Sequence, residues 1–235
     1  MTARISNEKV IETENLTKQF GEFIAVKGIS FDVKKGEIFG FLGANGAGKT
    51  TAMKMLIGIS NPSAGSAKVA SFDVAKDSDM VKKSIGYMSQ KFSMYDDLTV
   101  EENITFFGGI YGLSRKKIKS KTQELIAELQ LGNITKTRVG ALPLGWKQKL
   151  SFSVSLLHEP KIVFLDEPTG GVDPITRRQF WELIYAEANK GTTIFVTTHY
   201  MDEAEYCDRV SIMVDGVIEA LDSPKNLKQQ FQVAS

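Results

Sequence analysis

The amino-acid sequence predicts an α/β fold in which a largely parallel core is preceded by antiparallel strands and interrupted by an inserted helical lobe. Three observations carry that reading. A glycine-rich turn at residues 43–48 sits between a strand-like and a helix-like stretch, apolar residues at helical spacing dominate residues 99–157, and strand and helix patterns alternate after residue 161. With 235 residues the chain suits one sizeable α/β domain carrying a smaller lobe and is short for two such domains. The expected division of residues 1–235 is a core with its β subdomain at about 8–90 and 159–235, and a helical subdomain at about 91–158.

Taken in order, period-two and short apolar runs bounded by turn residues predict strands at residues 10–16, 27–33, 37–42 and 67–69. Little helix lies between them, which reads as a mostly antiparallel opening. After residue 80 the spacing becomes helical at 99–111, 114–130 and 146–157, with Gly112 and Gly132 as breaks. Strands return at 162–165, 193–196 and 210–214, with a helix at 174–188 between them, the alternation of a parallel sheet. There is no internal repeat and no long charge run.

Composition excludes several classes. Lys plus Arg number 29 against 28 Asp plus Glu, so no global field draws nucleic acid or an anionic membrane. A membrane span needs about 20 consecutive apolar residues, and the apolar stretches here, such as residues 37–42 and 161–165, are short. The chain is therefore expected not to cross a membrane, and its polar first residues do not read as a secretory signal. The single cysteine, Cys207, excludes an internal disulfide and suits a reducing compartment; it is expected to be a small packing residue.

The glycine-rich turn reads Gly43, Ala44, Asn45, Gly46, Ala47, Gly48, Lys49, Thr50 and satisfies G-x-x-x-x-G-K-[ST], with a strand before it and a helix from Thr51 to Gly58 after it. Glycines let the backbone turn its N–H groups towards phosphate oxygens, and the new helix aims its positive end at the same anion. Lys49 is expected to reach the β- and γ-phosphates and the Thr50 hydroxyl to ligate Mg²⁺. ATP and Mg²⁺ are the expected ligands.

A second strand, residues 161–165, ends in Asp166 and Glu167. At the carboxyl edge of a parallel sheet Asp166 suits Mg²⁺, and Glu167 is placed to orient or deprotonate an attacking water. His199 follows a third strand at the same edge and suits a γ-phosphate sensor, because neutral imidazole donates one hydrogen bond and accepts another. His158 lacks such a placement and is expected to be a capping or surface residue.

These residues resemble the nucleotide-binding subunit of ATP-binding cassette (ABC) transporters, over residues 10 to about 231. The resemblance implies an ABC-type P-loop NTPase (RecA-like) core with an antiparallel β subdomain and an inserted α-helical subdomain. It assigns Lys49, Glu167 and His199 to catalysis. Gln90 looks like the Q-loop residue, touching nucleotide and metal together with Thr50 and Asp166. Gly171 and Asp173 of TGGVDP look like the D-loop, and Phe20 matches the aromatic on which the family stacks adenine, with Phe23 its near competitor.

The family signature, normally LSGGQ, stands here as Leu142, Pro143, Leu144, Gly145, Trp146. In the family a signature caps the γ-phosphate held by the opposite subunit. Pro143 removes a hydroxyl and a backbone donor and Leu144 adds bulk, while Gly145 remains and proline is sterically suited to a helix start. The segment reads as an altered cap and resembles a subgroup of ABC-2-type exporters. Phe92, Met94 and Tyr95, just after Gln90, either line a groove for a short cytoplasmic helix of a membrane partner or pack inside the helical lobe.

The resemblance implies a transmembrane permease and a second ABC ATPase domain, identical or different, as partners. The transported substrate is not expected to touch this chain. The chain is expected to be soluble alone and peripheral at the cytoplasmic membrane face. A family member acting on ribosomes or DNA is one alternative, opposed by the near-neutral charge and by an interval between Lys49 and Asp166 too short for a long coiled coil. A binding module whose signature has lost turnover is another.

Overall fold

A computed structural model describes residues 4–90, 94–129, 132 and 134–231. The first two strands, β1 (Lys9–Phe20) and β2 (Phe23–Lys34), form a hairpin that turns at Gly21 and Glu22. They are followed by β3 (Ile38–Leu42), α1 (Lys49–Leu56), β4 (Ala64–Val69), β5 (Phe72–Asp73), α2 (Ser78–Ser84) and β6 (Ile85–Met88). The helical lobe holds α3 (Val100–Ile110), α4 (Arg115–Glu128) and α5 (Leu144–Ser155). The chain then returns through β7 (Ile162–Asp166), α6 (Pro174–Asn189), β8 (Thr193–Thr198), α7 (Met201–Ala204), β9 (Arg209–Val214), β10 (Val217–Asp222) and α8 (Pro224–Gln230).

Among the described residues two sheets form. One is antiparallel in the order β2-β1-β4-β5; the other runs β10-β9-β3-β8-β7-β6 and is parallel except for β10. The expected antiparallel opening is corrected at β3. That strand leaves the opening and becomes a central parallel strand between β8 and β9. Its sequence, IFGFL, is buried at every position, the pattern of a strand covered on both faces. The short α2, β6, β10 and α8 were not expected as elements.

Successive residues of the buried strands serve opposite faces. Phe39, Phe41, Phe164 and Phe195 point to one side and join Phe31 of β2, with ring centroids 5.2–5.6 Å apart along the contacts Phe31–Phe39, Phe39–Phe195, Phe41–Phe195 and Phe164–Phe195. This layer welds the antiparallel sheet and α1 to the parallel one. Val163, Leu165, Ile194 and Val196 point the other way, under Phe180, Trp181 and Ile184 of α6.

The helical lobe has its own apolar cluster, from Val100 and Ile104 through Leu125 to Leu150 and Val154. Thr99 and Glu102 close a capping box at the start of α3. Met94 is buried in this cluster, and of the groove-or-core alternatives it takes the core. Tyr95 is half-exposed and meets Phe106 edge-on at 4.8 Å; Phe92 lies outside the described residues. His158 is neither cap nor surface residue: its Nε2 bonds the Ile85 carbonyl at 2.9 Å and its ring stacks on Tyr111 at 4.0 Å, and burial pushes its pKa down. Cys207 is buried, as a packing residue should be, and burial pushes its thiol pKa up.

Phe195 touches every other ring of the aromatic layer. Phe195→Ala is expected to destabilise the chain by about 3–5 kcal/mol, read from equilibrium urea unfolding; a loss below about 1 kcal/mol would show that the layer does not hold the two sheets together.

Candidate nucleotide site

The parallel strands β3, β7 and β8 all end at one edge, so the residues that follow them meet there. After β3 the chain wraps through residues 43–48 into α1, whose N-cap Gly48 has no side chain to offer the free amides. Gly48 adopts φ 107°, and a Cβ on it would stand 2.6 Å from the Ala25 carbonyl oxygen. A Cβ on Gly43 would stand 2.5 Å from that of Met213. Only glycine fits at either position, and the loop amides stay open to an anion.

Lys49 is buried at the foot of this loop. Its Nζ donates to the carbonyls of Gly43 at 2.6 Å and Ala44 at 3.1 Å and lies 3.4 Å from Glu167 Oε1. The Thr50 hydroxyl donates to Asp166 Oδ1 at 3.3 Å. Asp166, at the end of β7, is 2% exposed, and burial pushes its pKa up despite the Thr197 and Thr50 hydroxyls that donate to it.

Glu167 has φ 48°, left-handed for a residue with a side chain, a conformation that costs on the order of 1 kcal/mol or more and is found where a site over-determines it. What holds it is Thr197: the Glu167 amide donates to the Thr197 hydroxyl at 3.0 Å while that hydroxyl donates to Asp166 at 2.7 Å. The turned carboxylate gathers three side chains. Gln90 Nε2 donates at 3.0 Å, His199 Nδ1 lies at 3.2 Å and Lys49 Nζ at 3.4 Å. Three residues far apart in sequence thus converge on the Glu167 carboxylate.

Asn45, Gly46, Gly48, Lys49, Thr50, Thr51, Gln90 and Glu167 line a cleft of about 270 Å³, small for enclosing a nucleotide. Ala47 is buried behind the loop. Phe23, rather than Phe20, is in the cleft wall. The two are register partners at the end of the β1–β2 hairpin and both are mostly exposed, and Phe20 carries Lys18 over its ring at 5.2 Å.

The signature residues stand apart from this cleft. Pro143, Leu144, Gly145 and Trp146 line a second one with Gly171 and Asp173, and Leu142 is buried beneath. Pro143 is the N-cap of α5 and accepts from the amides of Trp146 and Lys147, with no side-chain cap. Gln148 donates to the Gly170 carbonyl at 3.1 Å, and a Cβ on Gly145 would lie 2.5 Å from Thr176 Cγ2. Signature and D-loop are therefore packed as one wall. Asp173 caps α6 by accepting from the amides of Ile175 and Thr176.

Residues 26–170 match the profile of the family described as "ABC transporter". The chain belongs to that family. It is 49% identical over 223 residues to the probable multidrug ABC transporter ATP-binding protein YbhF of Escherichia coli (strain K12), a match covering 95% of this chain and 39% of that protein. It is 38% identical over 221 residues to the Nod factor export ATP-binding protein I of Rhizobium sp. (strain N33), covering 94% of this chain and 73% of that one. Among solved structures, an ATP-binding subunit of an ABC transporter superposes with a TM-score of 0.85 at 28% identity, covering 96% of this chain and 95% of that chain. The fold is that of the ABC ATPase domain, an ATP-binding P-loop NTPase. No helix among the described residues is long and apolar enough to cross a membrane.

Thr197 was not expected at the site, for in sequence it is one β-branched residue in a strand. Thr197→Val keeps its shape and removes the hydroxyl from two buried partners, which is expected to destabilise the chain by about 1–3 kcal/mol in urea unfolding. A change below about 0.3 kcal/mol would contradict this bridging role.

Proposed function

We propose that this chain is the ATP-hydrolysing cassette of an ABC-2-type export transporter, in which two cassettes close head to tail around ATP and reopen after hydrolysis. The observation that carries the reading is the convergence of Lys49, Gln90 and His199 on Glu167. Without nucleotide Lys49 is tied to the loop carbonyls and to Glu167. A triphosphate in the loop competes for Lys49 and releases one oxygen of Glu167, which then accepts from a water set in line with the γ-phosphate. His199, at hydrogen-bond distance from the same carboxylate, is positioned to hold that water or the phosphate.

The donors fit Mg²⁺. Thr50 and Asp166 offer hard oxygens side by side, and Gln90 stands across the cleft. When bound, Mg²⁺ draws charge off the β- and γ-phosphates.

The separation of the signature from this chain's own phosphate loop supports capping in trans, since the chain cannot close its own cleft with residues that line another. Pro143 places no side-chain cap over the start of α5, which supports an altered segment that retains an anion-facing helix start. A permease is the proposed membrane partner, with the chain at the cytoplasmic face. The chain spans 39% of the length of YbhF.

Glu167→Gln is expected to lower the rate of ATP hydrolysis at least about 100-fold while ATP still binds; phosphate release at the wild-type rate would remove Glu167 from the mechanism. Phe23→Ala and Phe20→Ala, compared by binding of a fluorescent ATP analogue, identify the adenine platform. The ring that stacks is expected to cost about 1–3 kcal/mol of affinity, and equal, negligible losses would leave no platform on this hairpin. Pro143→Ser with Leu144→Gly is expected to raise ATPase activity, and a fall would show that the native segment is the better cap.

A further inference from the structure

We propose that Glu203 is a positioning residue for hydrolysis, holding the loop of Glu167 and the loop of His199 at a fixed separation; this rests on the reading of those two residues as the hydrolytic pair. Glu203, in the short α7, is fully buried. Its two carboxylate oxygens are divided between two loops. Oε1 accepts from the Thr169 hydroxyl, two residues beyond Glu167. Oε2 accepts from the Thr198 hydroxyl at 2.5 Å, one residue before His199. Thr169 and Thr198 are themselves buried, so neither exchanges this partner for water.

Arg177, one turn past the D-loop cap Asp173, closes the circuit. Its Nε lies 3.5 Å from Glu203 Oε1 and its guanidinium sits 4.0 Å above the ring of Tyr200. The Tyr200 ring in turn lies 4.1 Å from that of His199, and the Tyr200 amide donates to the Thr198 hydroxyl at 3.0 Å. Asp202 also reaches Arg177, at 3.4 Å, from the exposed side. The carboxylate thus clamps three segments: the end of β7, the start of α6 and the end of β8.

Burying a carboxylate is costly, and apolar residues of similar volume commonly hold a core as well or better. What a carboxylate adds is geometry, because its two acceptors lie at a fixed spacing. That geometry matters here because His199 Nδ1 and Glu167 Oε2, at 3.2 Å, sit at the outer limit of a hydrogen bond, where a shift of a few tenths of an ångström decides whether the contact exists.

The test is a double-mutant cycle on the full protein, reading radiolabelled phosphate release for kcat and a fluorescent ATP analogue for affinity. Glu203→Gln loses the charge opposite Arg177 and leaves one acceptor for two hydroxyls. It is expected to lower kcat about tenfold with affinity changed less than about twofold. In a His199→Ala background it is expected to add less than about twofold, because its effect travels through His199. Thr198→Val removes the bond to Glu203, and with it the acceptor of the Tyr200 amide, without changing shape; it is expected to behave the same way, which keeps the test open if Glu203→Gln fails to fold. Losses that multiply in the His199→Ala background, or an equal loss of affinity, would overturn the positioning role while leaving the hydrolytic pair intact. A His199→Ala protein with wild-type turnover would overturn both.

Discussion

The structure turns on the carboxylate of Glu167, held at the end of a buried strand in a backbone conformation that it does not choose for itself. Thr197 supplies the acceptor for its amide and a donor for the neighbouring Asp166, so one hydroxyl sets the direction of both acids. Asp166 faces Thr50 at the start of α1, and Glu167 faces the cleft. The parallel register of β3, β8 and β7 makes this possible, because Leu42, Thr198 and Asp166 end side by side and their loops share one edge. The aromatic layer beneath those strands makes the edge rigid.

A consequence is that Lys49 and Glu167, the opposite charges of the site, are paired with each other. Lys49 pairs with Glu167 while its ammonium also donates to two loop carbonyls. In the proposed mechanism binding is an exchange of partners: phosphate takes Lys49 and frees one oxygen of Glu167 in the same step. Coupling of this kind follows from local geometry and needs no long-range signal. The segments that resemble the signature and the D-loop, packed together through Gln148, Gly145 and Thr176, form a second wall, lining a cleft that shares no residue with the first.

Much of this was legible in the sequence, for reasons that can be named. The glycine-rich loop is legible because only glycine fits at Gly43 and Gly48. The strand before Asp166 is legible because every residue of β7 is buried, which writes an unbroken apolar run. β3 was placed in the wrong sheet because an apolar run carries no information about its partners. Short elements escaped: α2 has a single buried side chain, Val81, and a single residue has no period. Thr197, Thr169 and Glu203 escaped for a different reason. Their roles depend on contacts between residues 30 or more apart in sequence, and pattern reading sees only neighbours. The ambiguity between Phe20 and Phe23 is of the same origin, since a hairpin brings both rings to one place and only their surroundings differ.

In the proposed function this cleft is half of a site, completed by a signature from another cassette. The most direct measurement is the specific ATPase activity of the isolated chain as a function of its own concentration, at saturating Mg²⁺ and ATP. Activity per molecule is expected to rise with concentration and then level off, as paired cassettes replace single ones. Activity per molecule that stays constant down to concentrations at which the chain is monomeric would contradict that reading.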